Sequence, residues 1–143
     1  MDELWLIGRI LYSMLFVVTG ITRLVDLEES TRFAASRGLA PEPARAGVIA
    51  SAVAYIVGGV SIVFGIWGDL GALLLIVTLI PLTFLMHQFW AERDPADRQT
   101  QLSMFLKNIA LIGGAVLIFS WFARDTLGFG LPYTITDGAF SFR

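Results

Sequence analysis

Four runs of apolar residues, separated by charged or turn-forming segments, dominate the chain. They are Leu4–Leu24, Ala46–Trp67, Leu70–Trp90 and Met104–Phe122. The first is interrupted by Arg9 and ends at Arg23. The second carries no charge, the third has His87 as its one titratable group, and the fourth has Lys107 near its start. A helix crossing about 30 Å of hydrocarbon at about 1.5 Å per residue needs about 20 residues. Each run is therefore expected to be a membrane span. The first opens Met1-Asp2-Glu3, acidic where a cleaved signal peptide is basic, and no small-residue cleavage site follows it.

The connections add three expectations. In Val25–Arg45, Ser30 is placed to cap a short helix, STRFAASR, which Gly38 would end in a left-handed cap before Pro41 and Pro43. Phe33 and Leu39 would then dip into the membrane interface. The third connection, AERDPADRQTQL, reads as polar with a proline turn. The stretch 124–143 forms a tail in which Tyr133 and Ile135 alternate with threonines, Asp137-Gly138 signals a type I′ turn and Phe140 and Phe142 alternate beyond, a candidate hairpin. The pattern as a whole predicts an all-α fold: a polytopic membrane four-helix bundle with an interfacial helix between spans one and two.

Small residues indicate how the spans pack. Span two repeats them every fourth position, at Ala46, Ala50, Ala54 and Gly58, beside a second row Gly47, Ser51, Tyr55, Gly59. Span four has Ala110 and Gly114 at the same spacing, with Gly113 adjacent. In lipid, close backbone approach at small residues drives helix association. Spans two and four are thus expected to be the tight pair, or one of them to form the face of a homo-oligomer. Pro81 is expected to kink span three and free the carbonyl of Val77.

Composition strengthens this picture. The 143 residues are 56% hydrophobic and 15% charged, against about 45–50% and 25% for soluble domains. A chain of this length cannot bury that excess in a larger core. A net charge of −2 without a basic stripe excludes nucleic acid as a partner, and the absence of cysteine excludes disulfides and thiolate metal sites. Lysine and arginine set the orientation. Seven (Arg23, Arg32, Arg37, Arg45, Arg93, Arg98, Lys107) fall with the first and third connections and three (Arg9, Arg124, Arg143) on the other side. Both termini are therefore expected outside the cytoplasm. Trp5, Trp67, Trp90 and Trp121 each mark a span end, as an interfacial aromatic belt does.

Charged groups within a bilayer usually face the bundle interior or a watery cavity. Arg23, His87 and Lys107 fall within about a turn of one boundary on three different spans, with Asp26, Trp90 and Asn108 at the same level. Arg23, His87, Trp90, Lys107 and Asn108 are therefore candidates for binding an anionic or carbonyl-bearing headgroup. The alternative for Arg23 and Lys107 is snorkelling to lipid phosphates. His87 alone titrates near neutrality and could exchange protons with a bound redox molecule. Arg9, with Tyr12 close by, is a second candidate polar site at the opposite face. Asp69 or Asp125 is available to pair with Arg9. No metal-ligand spacing and no nucleophile–base pair can be assembled.

These residues resemble the DoxX family of small membrane proteins over nearly the whole chain. The similarity rests on GRILYSMLFVVTGITRLVD in span one, FAASRGL after it and Gly58-Gly59 in span two. It continues through HQFW closing span three, FLKNIALIGG in span four and GFGLPYTITDG in the tail. Each motif is short and apolar, and their order and spacing carry the similarity. The resemblance implies a four-helix membrane bundle. Relatives include the membrane subunit of archaeal thiosulfate:quinone oxidoreductase and a maturation protein for methylamine dehydrogenase. It implies that His87 and Lys107-Asn108 match family positions directly, that Arg23 stands where a lysine is usual, and that Tyr55 stands where span two usually carries a glutamate.

The resemblance further implies a redox-linked subunit of a bacterial or archaeal cytoplasmic membrane that meets the quinone pool, with a protein partner supplying electrons. Quinone is then the candidate ligand, its headgroup at His87, Lys107 and Trp90 and its tail between spans three and four. No covalently bound cofactor is expected and no catalytic residue is assigned. The alternative is a non-catalytic membrane anchor or assembly factor for a partner protein. A third, weaker reading is a solute carrier, which with four spans would need to dimerise.

Overall fold

The computed structural model describes residues 2–124, 134–136 and 138–140. Five helices follow one another: α1 (Asp2–Val25), α2 (Leu27–Ser36), α3 (Pro41–Phe64), α4 (Gly68–Met86) and α5 (Pro95–Arg124). All except α2 are long and apolar enough to cross a membrane. Their outward faces are apolar, with Leu11, Val77 and Leu117 each 60–72% exposed. Apolar surface on this scale suits lipid, not water. The protein is an all-α membrane bundle.

Helix ends depart from the sequence expectations for local reasons. α2 begins at Leu27, and Ser30 lies inside it, its N–H bonded to the Asp26 carbonyl at 3.0 Å. Glu28 and Glu29 in the first turn complement the helix dipole, so the helix needs no serine cap. Gly38 (φ +95°) does take the left-handed turn. α3 starts at Pro41, where a proline loses nothing because first-turn amides have no intrahelical acceptor. The largest departure is α5, which starts about nine residues before the expected span. Asp94 Oδ1 accepts the Ala96 and Asp97 amides at 2.8 and 3.2 Å, an N-cap followed by proline. The connection AERDPADRQTQL, expected to be polar with a proline turn, is therefore helix from Pro95 on, and only its first four residues lie outside the helix. Its 30 residues span about 45 Å, more than the hydrocarbon requires, so its exposed polar first turns extend beyond the membrane. α4 runs unbroken through Pro81.

α3 is the hub. It packs on α1, α4 and α2, and α4 packs on α5. Spans two and four, expected to form the tight pair, are not one of the closely packed pairs in this arrangement. The small residues serve other contacts. A Cβ on Gly58 would lie 2.8 Å from the Leu75 side chain of α4, and one on Gly59 would lie 2.8 Å from Val17 of α1. Gly114 of α5 accommodates the Tyr12 ring, while Gly113 faces open space. Ala46 and Ala50 remain exposed. Side chains join α1 to α5: the Tyr12 hydroxyl donates to the Leu111 carbonyl at 2.6 Å, and Trp5 stacks on Trp121 at 3.8 Å. The core, centred on Phe16, Tyr55, Ile62, Ala72, Leu75 and Leu79, lies at this convergence. A second cluster (Ala34, Ala44, Val48, Met86) seats α2, and Leu39 packs against it while Phe33 stays exposed.

At the other end of the bundle the C-terminal segment crosses the α3–α4 turn. The Thr136 amide donates to the Gly65 carbonyl at 3.2 Å, and the Trp67 amide to Thr136 Oγ1 at 2.8 Å. Buried Asp69 accepts the Leu70 and Phe140 amides at 2.9 and 2.6 Å. Tyr133 and Asp137, on which the expected hairpin rests, lie outside the described residues. Asp69→Ala is expected to release the tail at a cost of about 1 kcal/mol, read as faster proteolysis after the last helix. Asp69→Asn, which keeps one carbonyl acceptor, should be milder.

Candidate functional site

The end of the bundle next to α2 brings together Arg23, Ser51, His87 and Gln101. Arg23, in the last turn of α1, reaches across to α3. Its Nη1 donates to Ser51 Oγ at 3.0 Å, and its guanidinium lies 4.9 Å from the centre of the Tyr55 ring. Ser51 and Tyr55 are one turn apart on the same helix face, so a single arginine spans both. Ser51 in turn donates to the Val48 carbonyl. His87 is the first residue beyond α4. Its Nδ1 meets Gln101 Oε1 of α5 at 3.0 Å. With that amide oxygen as acceptor, Nδ1 carries the proton and Nε2 is left to accept. Burial, reinforced by Lys107, Arg37 and Arg23, lowers the imidazole pKa against an opposing contribution from Gln101. His87 is therefore neutral at neutral pH.

Two cavities meet at these residues. The larger is a groove of about 790 Å³. Its floor is the small-residue face of α3 (Gly47, Ala50, Ser51, Ala54), its far wall is α4 (Leu74, Thr78, Pro81, Leu85), and α2 closes it at the polar end. Arg23, Asp26, Glu29 and His87 stand at that end. The smaller, about 70 Å³, lies inside the bundle and is lined by Arg23, Tyr55, His87, Lys107 and Asn108 with Thr19 and apolar neighbours. Arg23, Leu82, Met86 and His87 border both.

Four of the five headgroup candidates thus surround one small cavity, on two helices (α1 and α5) and just beyond the end of a third, α4. Lys107 is exposed at its edge, while Asn108 is 7% exposed. Trp90 is elsewhere: it packs edge-on to Phe89 and Phe105 in an outward-facing aromatic group and borders neither cavity. The second candidate pair also lies apart. Arg9 is buried 14 residues before Arg23, about 21 Å along α1, with its guanidinium 5.8 Å from the centre of the Phe122 ring. The Tyr12 hydroxyl donates to the Leu111 carbonyl. Asp69 spends its carboxylate on the tail and its own helix start.

Sequence reasoning missed Ser51, Gln101 and the groove itself. Ser51 was visible in the row Gly47-Ser51-Tyr55 but read only as a small residue. Gln101 lay in the segment expected to be a loop.

No curated protein and no solved structure matches the chain. The DoxX family model matches residues 4–88, the stretch that runs from the start of α1 to just beyond α4 and supplies Arg23, Ser51, Tyr55 and His87. With more than half of its length matched, and with the helical membrane bundle described above, the chain belongs to the DoxX family.

Proposed function

We propose that this membrane protein is a binding subunit for a lipophilic molecule with a carbonyl- or hydroxyl-bearing headgroup, in a redox-linked complex of a bacterial or archaeal cytoplasmic membrane. The observation that carries this reading is the groove. It has the volume of a small-molecule site, about 300–1,000 Å³, long apolar walls, and polar groups at one end. A quinone fits that distribution: an apolar tail along α3 and α4, a headgroup at Arg23 and His87. Arg23 offers N–H donors to a carbonyl oxygen, and His87 Nε2 offers an acceptor to a hydroxyl, so the two suit the oxidised and reduced headgroup respectively. A bound quinone would supply the electron-accepting chemistry, and the chain's own residues hold and orient it. This differs from the arrangement expected from sequence in placing the tail between α3 and α4 rather than α4 and α5. The redox association rests on the family resemblance. Mass spectrometry of lipids co-purifying with the intact protein is expected to find quinone near one per chain. Its absence would favour the anchor or assembly reading, for which the polar start of α5 beyond the membrane offers a docking surface.

The seven-to-three division of lysine and arginine supports placing the groove's polar end at the cytoplasmic face. A reporter fused after Arg143 is then expected to be active outside the cytoplasm. Activity confined to the cytoplasm would reverse the orientation.

A further inference from the structure

The small cavity differs in kind from the groove. At about 70 Å³ it is too small for a ring headgroup, but a water needs only about 10–15 Å³ of such space and two to four polar partners. Asn108 is more than nine-tenths buried and lines this cavity. A buried amide offers two donors and an acceptor, and such groups are normally satisfied by protein or ordered water. Thr19, Tyr55 and His87 border the same space. We propose that this cavity is a water site anchored by the Asn108 amide, and that its water keeps His87 in protonic exchange with solvent while a lipophile fills the groove. The exchange role rests on the reading of the groove given above, whereas the water site stands on the cavity alone.

The surroundings of His87 favour this role. Arg23 faces it from α1, Arg37 from the end of α2, and Lys107 and Gln101 from α5. Tyr55 of α3 borders the same cavity, and Asp26 and Glu29 stand at the groove mouth. Glu92 pairs with Arg37 at 2.6 Å. Among the described residues lining the small cavity none is a carboxylate. Among these groups the imidazole of His87 is the one whose ordinary range lies near neutrality, and it gains and loses the proton. The balance is simple: one proton from bulk solvent, relayed by the cavity water, converts imidazole to imidazolium and returns by the same route.

His87 is the single histidine of the chain, so protein labelled with ¹⁵N-histidine in lipid nanodiscs reports this one ring. The wild type is expected to show transfer of water magnetisation to the His87 ring and complete titration. Asn108→Leu fills the cavity and is expected to abolish the transfer of water magnetisation to the His87 ring and to move the titration to lower pH. Asn108→Ala, which keeps the space and removes the amide, should give a smaller change in the same direction and serves if the leucine variant does not fold. A dry His87 in the wild type, or exchange and titration unchanged in the alanine variant, overturns the proposal. The readout needs no bound lipophile. Absence of quinone from the purified protein would therefore overturn the groove reading while leaving the water site standing.

Discussion

Gly20→Leu is expected to destabilise the bundle by about 1–3 kcal/mol or more, the range for overpacking a close-packed interface. In an ordinary helix, replacing glycine with a side chain gains about 1 kcal/mol from propensity. Here the sign reverses. A Cβ at Gly20 would lie 2.7 Å from the Ala52 carbonyl oxygen and 2.7 Å from Ile56 Cγ1, both on α3. The carbonyl is backbone and cannot move without displacing the helix, so even Gly20→Ala should lower stability. Gly58→Leu should act similarly at the α3–α4 contact, against Leu75 and the Gly71 carbonyl. Gly113 supplies the control, since a Cβ there meets nothing within 4 Å. Gly113→Ala is expected to be neutral or to stabilise by up to about 1 kcal/mol. Thermal unfolding in one detergent measures all four. A Gly20→Ala variant as stable as Gly113→Ala would mean that α1 and α3 are not in contact here.

The four spans were legible in the sequence because lipid imposes a length and a composition that few other environments would tolerate. The meeting of Arg23, His87, Lys107 and Asn108 was legible for a related reason: once spans are placed, the rise of the helix assigns each residue a depth. Rotation about the helix axis is not assigned in that way. Gly58 and Gly59 are adjacent in sequence yet approach α4 and α1 respectively, so a count of small residues shows that α3 packs tightly without showing against what. The groove was illegible because it is made by side chains that are missing. Gly47, Ala50 and Ala54 line it by being small, and the same spacing is equally good for helix contact. Trp90 was misjudged because depth alone places it beside His87, whereas the chain turns after Met86 and directs it to the outward-facing aromatic group. The start of α5 was missed because an Asp-Pro pair in a polar stretch serves a turn and a helix cap alike.

Ala50→Phe is expected to abolish retention of the lipophile while leaving the protein folded. Ala50 is exposed and lines the groove, so a phenyl ring can occupy the space that an apolar tail would take without opening the core. Headgroup variants should be graded. Arg23→Ala removes a charged donor, worth about 1.5–3 kcal/mol, or about tenfold or more in affinity. His87→Ala removes one bond of about 0.5–1.5 kcal/mol, or several-fold. The two losses should not add, because one headgroup connects them. Lys107→Ala separates the competing accounts of that residue. It is exposed and borders only the small cavity, so ligand retention should stay near wild type. If Lys107 snorkels to lipid phosphate, its loss will alter expression or topology instead. Loss of ligand in Lys107→Ala comparable to that in Arg23→Ala would move the headgroup from the groove's end toward α5. Full retention in Ala50→Phe would show that the groove between α3 and α4 is not where the tail lies.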